Sequence, residues 1–256
     1  MGTRTSSRTF VFAASLIFAA SPALGAGGSG ALPSVSTVQA RFAQALGGVT
    51  AIKAPKTMTI HGAYVAGAKT AIPFVIYLGD FKRLEIDTVG TQQYRSGYDG
   101  TTAWTLDPGK PPQILTGNDA LSARRDADLY YWSRIPTYFR SMNVVGVERF
   151  AGHQCYHIRG TTNWGNVNNQ YFDVTSGLLV GYMFHQYNGG APEKAETRQM
   201  FDRYSKVRGL LVPMRQTAYR NGTLQVVTQY RSVSFDDVDP SVFVPPASVR
   251  KAVNPS

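Results

Sequence analysis

The stretch Tyr171-Phe-Asp-Val-Thr-Ser-Gly-Leu-Leu-Val180 decides the fold class of this chain. Two β-rich apolar runs meet at a Ser-Gly dipeptide with no room between them for a crossover helix, so the segment predicts a β-hairpin. The same rhythm of apolar runs and Gly, Asn or Asp turns recurs as far as Phe235. The C-terminal half is therefore predicted to form an antiparallel meander.

Two helical segments interrupt the predicted strands. The first, residues 34–46, starts at the N-cap residue Ser34 and ends before Gly47-Gly48. The second, residues 119–132, follows Asn118 and has an acidic first turn with no Gly or Pro. About ten or eleven strands remain, without βαβ alternation, which predicts an all-β or α+β chain built on one antiparallel sheet.

The N-terminus has the pattern of a secretory signal. Arg4 and Arg8 precede an apolar run over residues 10–20, and the small residues of Ala23-Leu-Gly-Ala26 offer a cleavage site, which predicts a cleaved signal over residues 1–25. The apolar run is roughly half of the ~20 residues that a membrane-spanning helix requires, and no later run approaches that length. We expect an exported protein in the bacterial periplasm with no transmembrane segment in the mature chain.

The remaining chain is expected to form one domain. Residues 26–33 read as a flexible lead-in and residues 34–250 as a single domain, since no Pro/Ser-rich linker divides them. Ala26 stands where a lipoprotein signal would carry a Cys, so a lipid anchor is not expected. Cys155 is the lone cysteine and cannot form an internal disulfide, so the fold must rest on a hydrophobic core.

The charge is basic but dispersed. The formal net charge is +10, and it falls to +8 when Arg4 and Arg8 leave with the signal. A nucleic-acid-binding protein would show a basic stripe or a known module, so no nucleic-acid partner is expected. This charge is better explained by attraction to an anionic lipid surface or an acidic ligand. The alternative is that it serves only to keep the protein soluble.

The clearest chemical pattern is His153-Gln-Cys-Tyr-His157, where strand alternation places His153, Cys155 and His157 on one face. Metal sites usually draw ligands from several elements, so we expect no metal; in the preferred interpretation Tyr156 and Ile158 point inward and the histidines outward. No Gly-x-Ser-x-Gly, His-Glu-x-x-His, phosphate-binding loop or Cys-x-x-Cys motif is present. No catalytic residue and no cofactor are therefore predicted.

Large apolar side chains exceed what one ordinary core face requires. They are either core beneath helices or the wall of a ligand cavity, and the sequence leaves both open. The candidates for lining such a cavity are Phe74, Ile76, Trp104, Leu106, Leu129, Tyr130, Trp132, Phe139, Phe172 and Met183.

The order of elements resembles the outer-membrane lipoprotein carrier superfamily, with its LolA/LolB-like fold. The likeness rests on five stretches spread over nearly the whole mature chain: Ala45-Leu-Gly-Gly48, Gly97-Tyr-Asp-Gly-Thr-Thr-Ala-Trp104, Asn118-Asp-Ala-Leu-Ser-Ala-Arg-Arg-Asp-Ala-Asp128, Tyr171-Phe-Asp-Val-Thr-Ser-Gly-Leu-Leu179 and Phe201-Asp-Arg-Tyr-Ser-Lys-Val-Arg-Gly-Leu-Leu-Val-Pro213. The resemblance implies a strongly curved antiparallel sheet, a half-barrel, whose concave face is covered by the two helical segments over an apolar cavity for acyl chains.

Three functions follow as expectations. The first is a monomeric periplasmic carrier or sensor that buries an apolar or acylated ligand, such as a lipoprotein or an anionic lipid. The second is an interaction module that binds an extended or unfolded polypeptide on the concave sheet or an exposed edge, as in envelope-stress sensing. The third, a hydrolase, would require a histidine within hydrogen-bond reach of a Ser or a carboxylate in a cleft.

Overall fold

The computed structural model describes residues 31–66, 70–188 and 191–254. The predicted signal over residues 1–25 and most of the lead-in lie outside these residues. Within them, no helix is both long enough and apolar enough to cross a membrane.

Thirteen antiparallel strands form one sheet in the described part of the chain. They are β1 (Thr57–Ala66), β2 (Thr70–Gly79), β3 (Lys82–Val89), β4 (Gln92–Tyr98), β5 (Ala103–Leu106), β6 (Gln113–Leu115), β7 (Phe139–Phe150), β8 (His153–Thr162), β9 (Val167–Asp173), β10 (Leu179–Asn188), β11 (Ala191–Val207), β12 (Leu210–Arg220) and β13 (Thr223–Phe235). The order across the sheet is β6-β5-β4-β3-β2-β1-β13-β12-β11-β10-β9-β8-β7. Two meanders are thus joined where β1 pairs with β13, and the sheet is open, with β6 and β7 at its edges.

The helices are short. They are α1 (Val35–Ala45), α2 (Val49–Lys53), α3 (Gly117–Asp126), α4 (Tyr131–Arg134) and α5 (Ala247–Val253), with 3-10 turns at Ile135–Tyr138 and Pro240–Phe243. The architecture is a large open antiparallel sheet with few helices, which confirms the predicted half-barrel class.

The hairpin predicted from Tyr171–Val180 is confirmed, with β9 pairing antiparallel to β10. Its turn is held by Asp173, whose carboxylate accepts hydrogen bonds from the backbone N–H of Thr175 (3.0 Å) and Ser176 (2.6 Å) and from the Ser176 hydroxyl (2.8 Å). Gly177 closes the turn with a φ of 76°, in the left-handed region that favours glycine. The second predicted turn, Asn221-Gly222, has positive φ at both residues, as a type I′ turn requires.

Helix α1 covers one face of the C-terminal meander. The side chain of Ser34 accepts from the backbone N–H of Thr37 and caps the helix as predicted. Val38, Phe42 and Leu46 recur at helical spacing and are each at most 2% exposed. We call the face of the sheet that they contact, which carries Phe172, the inner face; the opposite one is the outer face. Directly paired residues of neighbouring antiparallel strands share a face, so the register assigns every strand residue to one of the two.

Three expectations about the elements were wrong in detail. The sheet has thirteen strands rather than ten or eleven, in part because β6 is only three residues long and carries no readable alternation. The helix predicted over residues 119–132 is broken between α3 and α4, because Asp128 turns back to bridge Asp80 and accepts from the backbone N–H of Tyr130. Helix α5 was not predicted, and its Val249 is completely buried.

Candidate functional site

Phe172 belongs to the main core on the inner face and is completely buried. The ring of Phe42 from α1 packs on it edge to face, at 5.2 Å between centroids. Trp132 of α4 contacts the same group, 5.6 Å from Phe42 and 6.1 Å from Phe201, both edge to face. In this conformation the space over Phe172 is filled by side chains of the protein itself, as in an ordinary core.

Phe74 and Ile76 belong to a second apolar cluster on the inner face, nearer the N-terminal meander. They pack with Ile60, and the ring of Phe74 lies 4.4 Å from Tyr64 and 6.1 Å from Tyr230. Five strands, β1, β13, β12, β11 and β10, therefore separate these two candidates on β2 from Phe172 on β9.

Leu129, Tyr130 and Phe139 lie in or next to the short helical segment. Leu129 is 6% exposed, and the Tyr130 hydroxyl donates to the carbonyl of Pro55 at 3.0 Å. The ring of Phe139 rests directly on Gly160, where any Cβ would come within 2.6 Å of it. Of these three residues, only Phe139 belongs to a strand, and its side chain lies on the inner face.

Trp104, Leu106 and Met183 fall on the outer face. Trp104 pairs with Gly97, and its ring covers that glycine, while Leu106 pairs with Arg95 two residues along. Met183 packs against an outer cluster formed by Phe150, Cys155, Tyr171 and Val180. The ten predicted residues are thus distributed over both faces and do not converge on one cavity.

What the inner face does present is a contiguous set of large apolar side chains that are only partly buried. These residues pack against the main core but are not fully covered, and they belong to α4, β7 and β10. We call them the apolar wall: Trp132, Phe139, Met142, Val144 and Phe184. Only Trp132 and Phe139 are among the ten predicted cavity residues, since nothing in the sequence shows where the helical cover ends.

A line of polar side chains crosses the inner face between the two meanders. Gln199 donates to Gln216 at 2.7 Å, and Gln216 donates to the Tyr230 hydroxyl at 2.7 Å. Further along, Glu85 accepts from both Tyr64 and Arg83. We call these six residues the polar belt.

Electrostatics in the polar belt favour an ionised Glu85. Burial alone would raise the pKa of the Glu85 carboxyl, but the Arg83 guanidinium and the hydrogen bond from Tyr64 outweigh it, so the pKa lies below its usual range. Burial and the Glu85 charge in turn raise the pKa of the Tyr64 phenol well above its ordinary value. The belt therefore carries a buried ion pair with a neutral phenol beside it.

Two cavities flank these features. One, of about 270 Å³, lies between α3 and strands β3–β6 and is lined by Arg83, Ser96, Tyr98, Leu115, Asp119 and Asp126, among others. The second, of about 310 Å³, opens on the outer face beside Met183, Arg198 and Tyr219. Both linings mix apolar and charged groups, so neither is a purely apolar pocket.

The histidine pattern takes the orientation predicted for it, with Tyr156 and Ile158 packed in the inner core. On the outer face the His153 ring lies 3.0 Å from an Asp173 oxygen, and His157 lies 2.8 Å from Glu148. The described residues include no group of three His, Cys, Asp or Glu that could hold a metal ion. Burial raises the pKa of the Cys155 thiol to about 12, which keeps it protonated.

Asp173, His153 and Ser176 meet at one turn but lack the geometry of an activated nucleophile. The Ser176 hydroxyl donates to the carboxylate of Asp173 rather than to the imidazole. A hydrolase triad needs the histidine between the other two groups. In this arrangement Asp173 instead organises the hairpin turn.

No protein-family model and no curated protein matches this chain. Several solved structures do match it. A LolA superfamily protein from Nitrosomonas europaea superposes with a TM-score of 0.57 and 10% identity, over 84% of this chain and 99% of that one. The chain has a LolA-like fold. A DUF1329 family protein from Desulfovibrio piger is equally similar, with a TM-score of 0.57 and 13% identity over 82% of this chain and 97% of that one. At these identities the likeness concerns the fold.

Proposed function

We propose that this LolA-like protein is an exported carrier or sensor that binds the acyl chain of an apolar ligand on the apolar wall. The observation that carries the proposal is the wall itself, in which Trp132, Phe139, Met142, Val144 and Phe184 continue the core but remain partly open. A soluble protein covers such residues unless they meet another apolar surface. The predicted signal over residues 1–25 supports a periplasmic location.

The packing of Phe42 on Phe172 gives the binding mode. The space over Phe172 is occupied, so a long acyl chain must enter along the wall and displace α1 and α4 to reach further. Shielding a few hundred Å² of acyl chain contributes several kcal/mol at roughly 25 cal/mol per Å², before association costs. This is enough for reversible binding without covalent chemistry.

Detergent-free purification from cell envelopes followed by native mass spectrometry tests the proposal. The wild-type protein should carry a lipid-sized adduct, and Phe184→Glu should lose it because a carboxylate on the wall repels an acyl chain. Leu224→Glu is the matched control, since Leu224 is an exposed apolar residue of β13 outside the wall. Equal adducts in all three proteins, or none in the wild type, would refute acyl binding at the wall.

A second candidate function rests on the edge strand β7. It spans twelve residues, Phe139–Phe150, pairs with β8 on one side only, and exposes Val145 and Val147 by 48% each. An extended polypeptide could add a strand along this edge by backbone hydrogen bonds.

Binding of unfolded model peptides to delipidated protein distinguishes this second function. Val147→Pro should abolish peptide binding because proline has no backbone N–H to donate to an added strand. Phe184→Glu should leave peptide binding unchanged. Loss of peptide binding in Phe184→Glu, or its retention in Val147→Pro, would show that the edge is not the binding surface.

A further inference from the structure

Strand β9 places a polar side chain on the inner face without a partner. Gln170 lies two residues from Phe172 and pairs across the sheet with Ile158 and Tyr182. Its side chain is completely buried, and among the described residues neither its Nε2 nor its Oε1 has a hydrogen-bond partner. Buried amides in folded proteins are almost always paired, because each unpaired group retains its full desolvation cost.

A neighbouring group shares this property. The side-chain oxygen of Asn168, the next inner-face residue on β9, is buried and unpartnered too, and the buried hydroxyl of Tyr182 beside Gln170 has the Tyr131 phenol as its neighbour. We call Asn168, Gln170 and Tyr182 the amide cluster. Unpaired groups on two successive inner-face residues of one strand are unusual, because buried polar groups in a core are almost always paired.

The helical segment closes over the amide cluster. Tyr131 of α4 approaches the Tyr182 phenol, and burial, reinforced by this neighbour, raises the pKa of Tyr182 well above its ordinary value. Arg125 at the end of α3 belongs to the same surroundings and lies 5.8 Å above the ring of Trp164. The cluster is therefore enclosed between β9–β10 and the segment that joins α3 to α4.

The amide cluster adjoins the apolar wall. Asn168 pairs with Phe184 on one side and with Gly160 on the other, and Gly160 pairs with Met142. A ligand whose acyl chain lies on Phe184 and Met142 therefore places its first polar group next to Asn168 and Gln170. The site is amphiphilic, with an apolar stretch that ends at unpaired donors and acceptors.

We propose that the amide cluster binds the amide of an N-acyl ligand, an inference that rests on the proposed acyl binding. The cluster has an unpaired donor, Gln170 Nε2, and two unpaired acceptors, Gln170 Oε1 and Asn168 Oδ1, and a secondary amide offers an acceptor and a donor on opposite edges. An ester offers an acceptor only and leaves Gln170 Oε1 unpaired. The cluster thus selects amide-linked over ester-linked acyl chains.

The test compares two isosteric probes, N-tetradecanoylglycine and the O-tetradecanoyl ester of glycolic acid, which share chain length and charge. By isothermal titration calorimetry the wild type should bind the amide at least about tenfold more tightly, since a site built for a hydrogen bond rejects the analogue that lacks it. In Gln170→Leu the two probes should bind alike. A buried Leu of similar size needs no partner, so this variant should remain folded.

Thr217→Val is the matched control, a shape-conserving loss of a buried polar group on the outer face, and it should keep the amide preference. If both probes bind wild type equally, the amide inference fails while acyl binding stands; the cluster then pairs with water. If neither probe binds, acyl binding itself fails.

A preference for the amide probe that survives in Gln170→Leu would show that amide recognition lies elsewhere in the protein. N-tetradecanoylated peptide and ceramide then show whether the amide belongs to a peptide or to a lipid.

Discussion

At the scale of single residues, Glu85 of the polar belt offers a direct test through pH. Its folded-state pKa is lowered, so the stability it provides is present above its unfolded pKa of about 4.3 and is lost as the pH falls through the folded value. Glu85→Gln should therefore lower the free energy of unfolding at pH 7 by about 3 kcal/mol and flatten its acid dependence. Urea denaturation at a series of pH values measures both effects.

Asp107→Asn is the control for Glu85, because Asp107 forms an exposed pair with Lys110 at 3.1 Å. Such surface pairs contribute about 0–1 kcal/mol. An unchanged pH slope in Glu85→Gln would show that the pKa of Glu85 is the same in the folded and unfolded protein.

Phe172 tests whether the filled inner face is structural. If it is core, Phe172→Ala should destabilise the protein by about 3–5 kcal/mol, as buried aromatic truncations do. Val145→Ala, at an exposed strand position of the β7 edge, should cost well under 1 kcal/mol. Thermal unfolding of ligand-free protein measures the difference. A small loss in Phe172→Ala would mean that α1 does not rest firmly on the sheet.

At the scale of elements, the β9–β10 hairpin is fastened to α1. The Arg41 guanidinium donates to the carbonyl of Val174 at 2.7 Å, and a Cβ on Gly177 would lie 3.1 Å from the carbonyl oxygen of Arg41. Gly177→Ala should therefore cost more than the roughly 1–2 kcal/mol of left-handed strain alone. Gly222→Ala is the control that introduces only the left-handed strain, since the φ of Gly222 is 77° and no atom lies within 4 Å of its Cβ position.

Chemical denaturation of the two glycine variants gives the comparison. Gly177→Ala should be the less stable, and the excess measures contact between the turn and α1. Equal losses would show that the helix shifts freely and that the hairpin does not hold it.

The same hairpin shows how far the sequence could predict this fold. The pairing of β9 with β10 followed from the turn residues, because turn chemistry is local. The face on which each residue lies did not follow from the turn residues, because a bulge between Leu179 and Gly181 changes the alternation of side chains. As a result Leu179 and Tyr182 both face inward and Met183 faces outward. Bulges depend on pairing with distant strands, which periodicity in one segment cannot reveal.

The site was harder to predict than the sheet. Large apolar residues such as Phe172 and Phe184 look alike in sequence, and only the extent of α1 and α4 makes the first core and the second part of the wall. Gln170 gave no signal, since a lone glutamine in a strand is usually solvent-exposed. Its significance comes from the surrounding strands and helices.

At the scale of the whole molecule, the dispersed positive charge should act at long range. With a formal charge of +8 after loss of the predicted signal, the protein should associate with anionic vesicles more than with neutral ones. Association should weaken as ionic strength rises from ~0.01 M to ~0.15 M, because the Debye length falls from ~30 Å to ~8 Å. Vesicle co-sedimentation measures this. Salt-independent binding to both vesicle types would assign the association to apolar contact instead.

The pairing of β1 with β13 determines when folding of the sheet can be completed. Met58 lies opposite Phe235, so the seam between the two meanders joins the first strand of the described residues to the last. Contacts so distant in sequence form slowly, and until β13 arrives β1 and β12 each present an unprotected edge. During synthesis the protein is therefore most prone to aggregate just before β13 emerges, and this is the stage at which binding by a chaperone would protect it most.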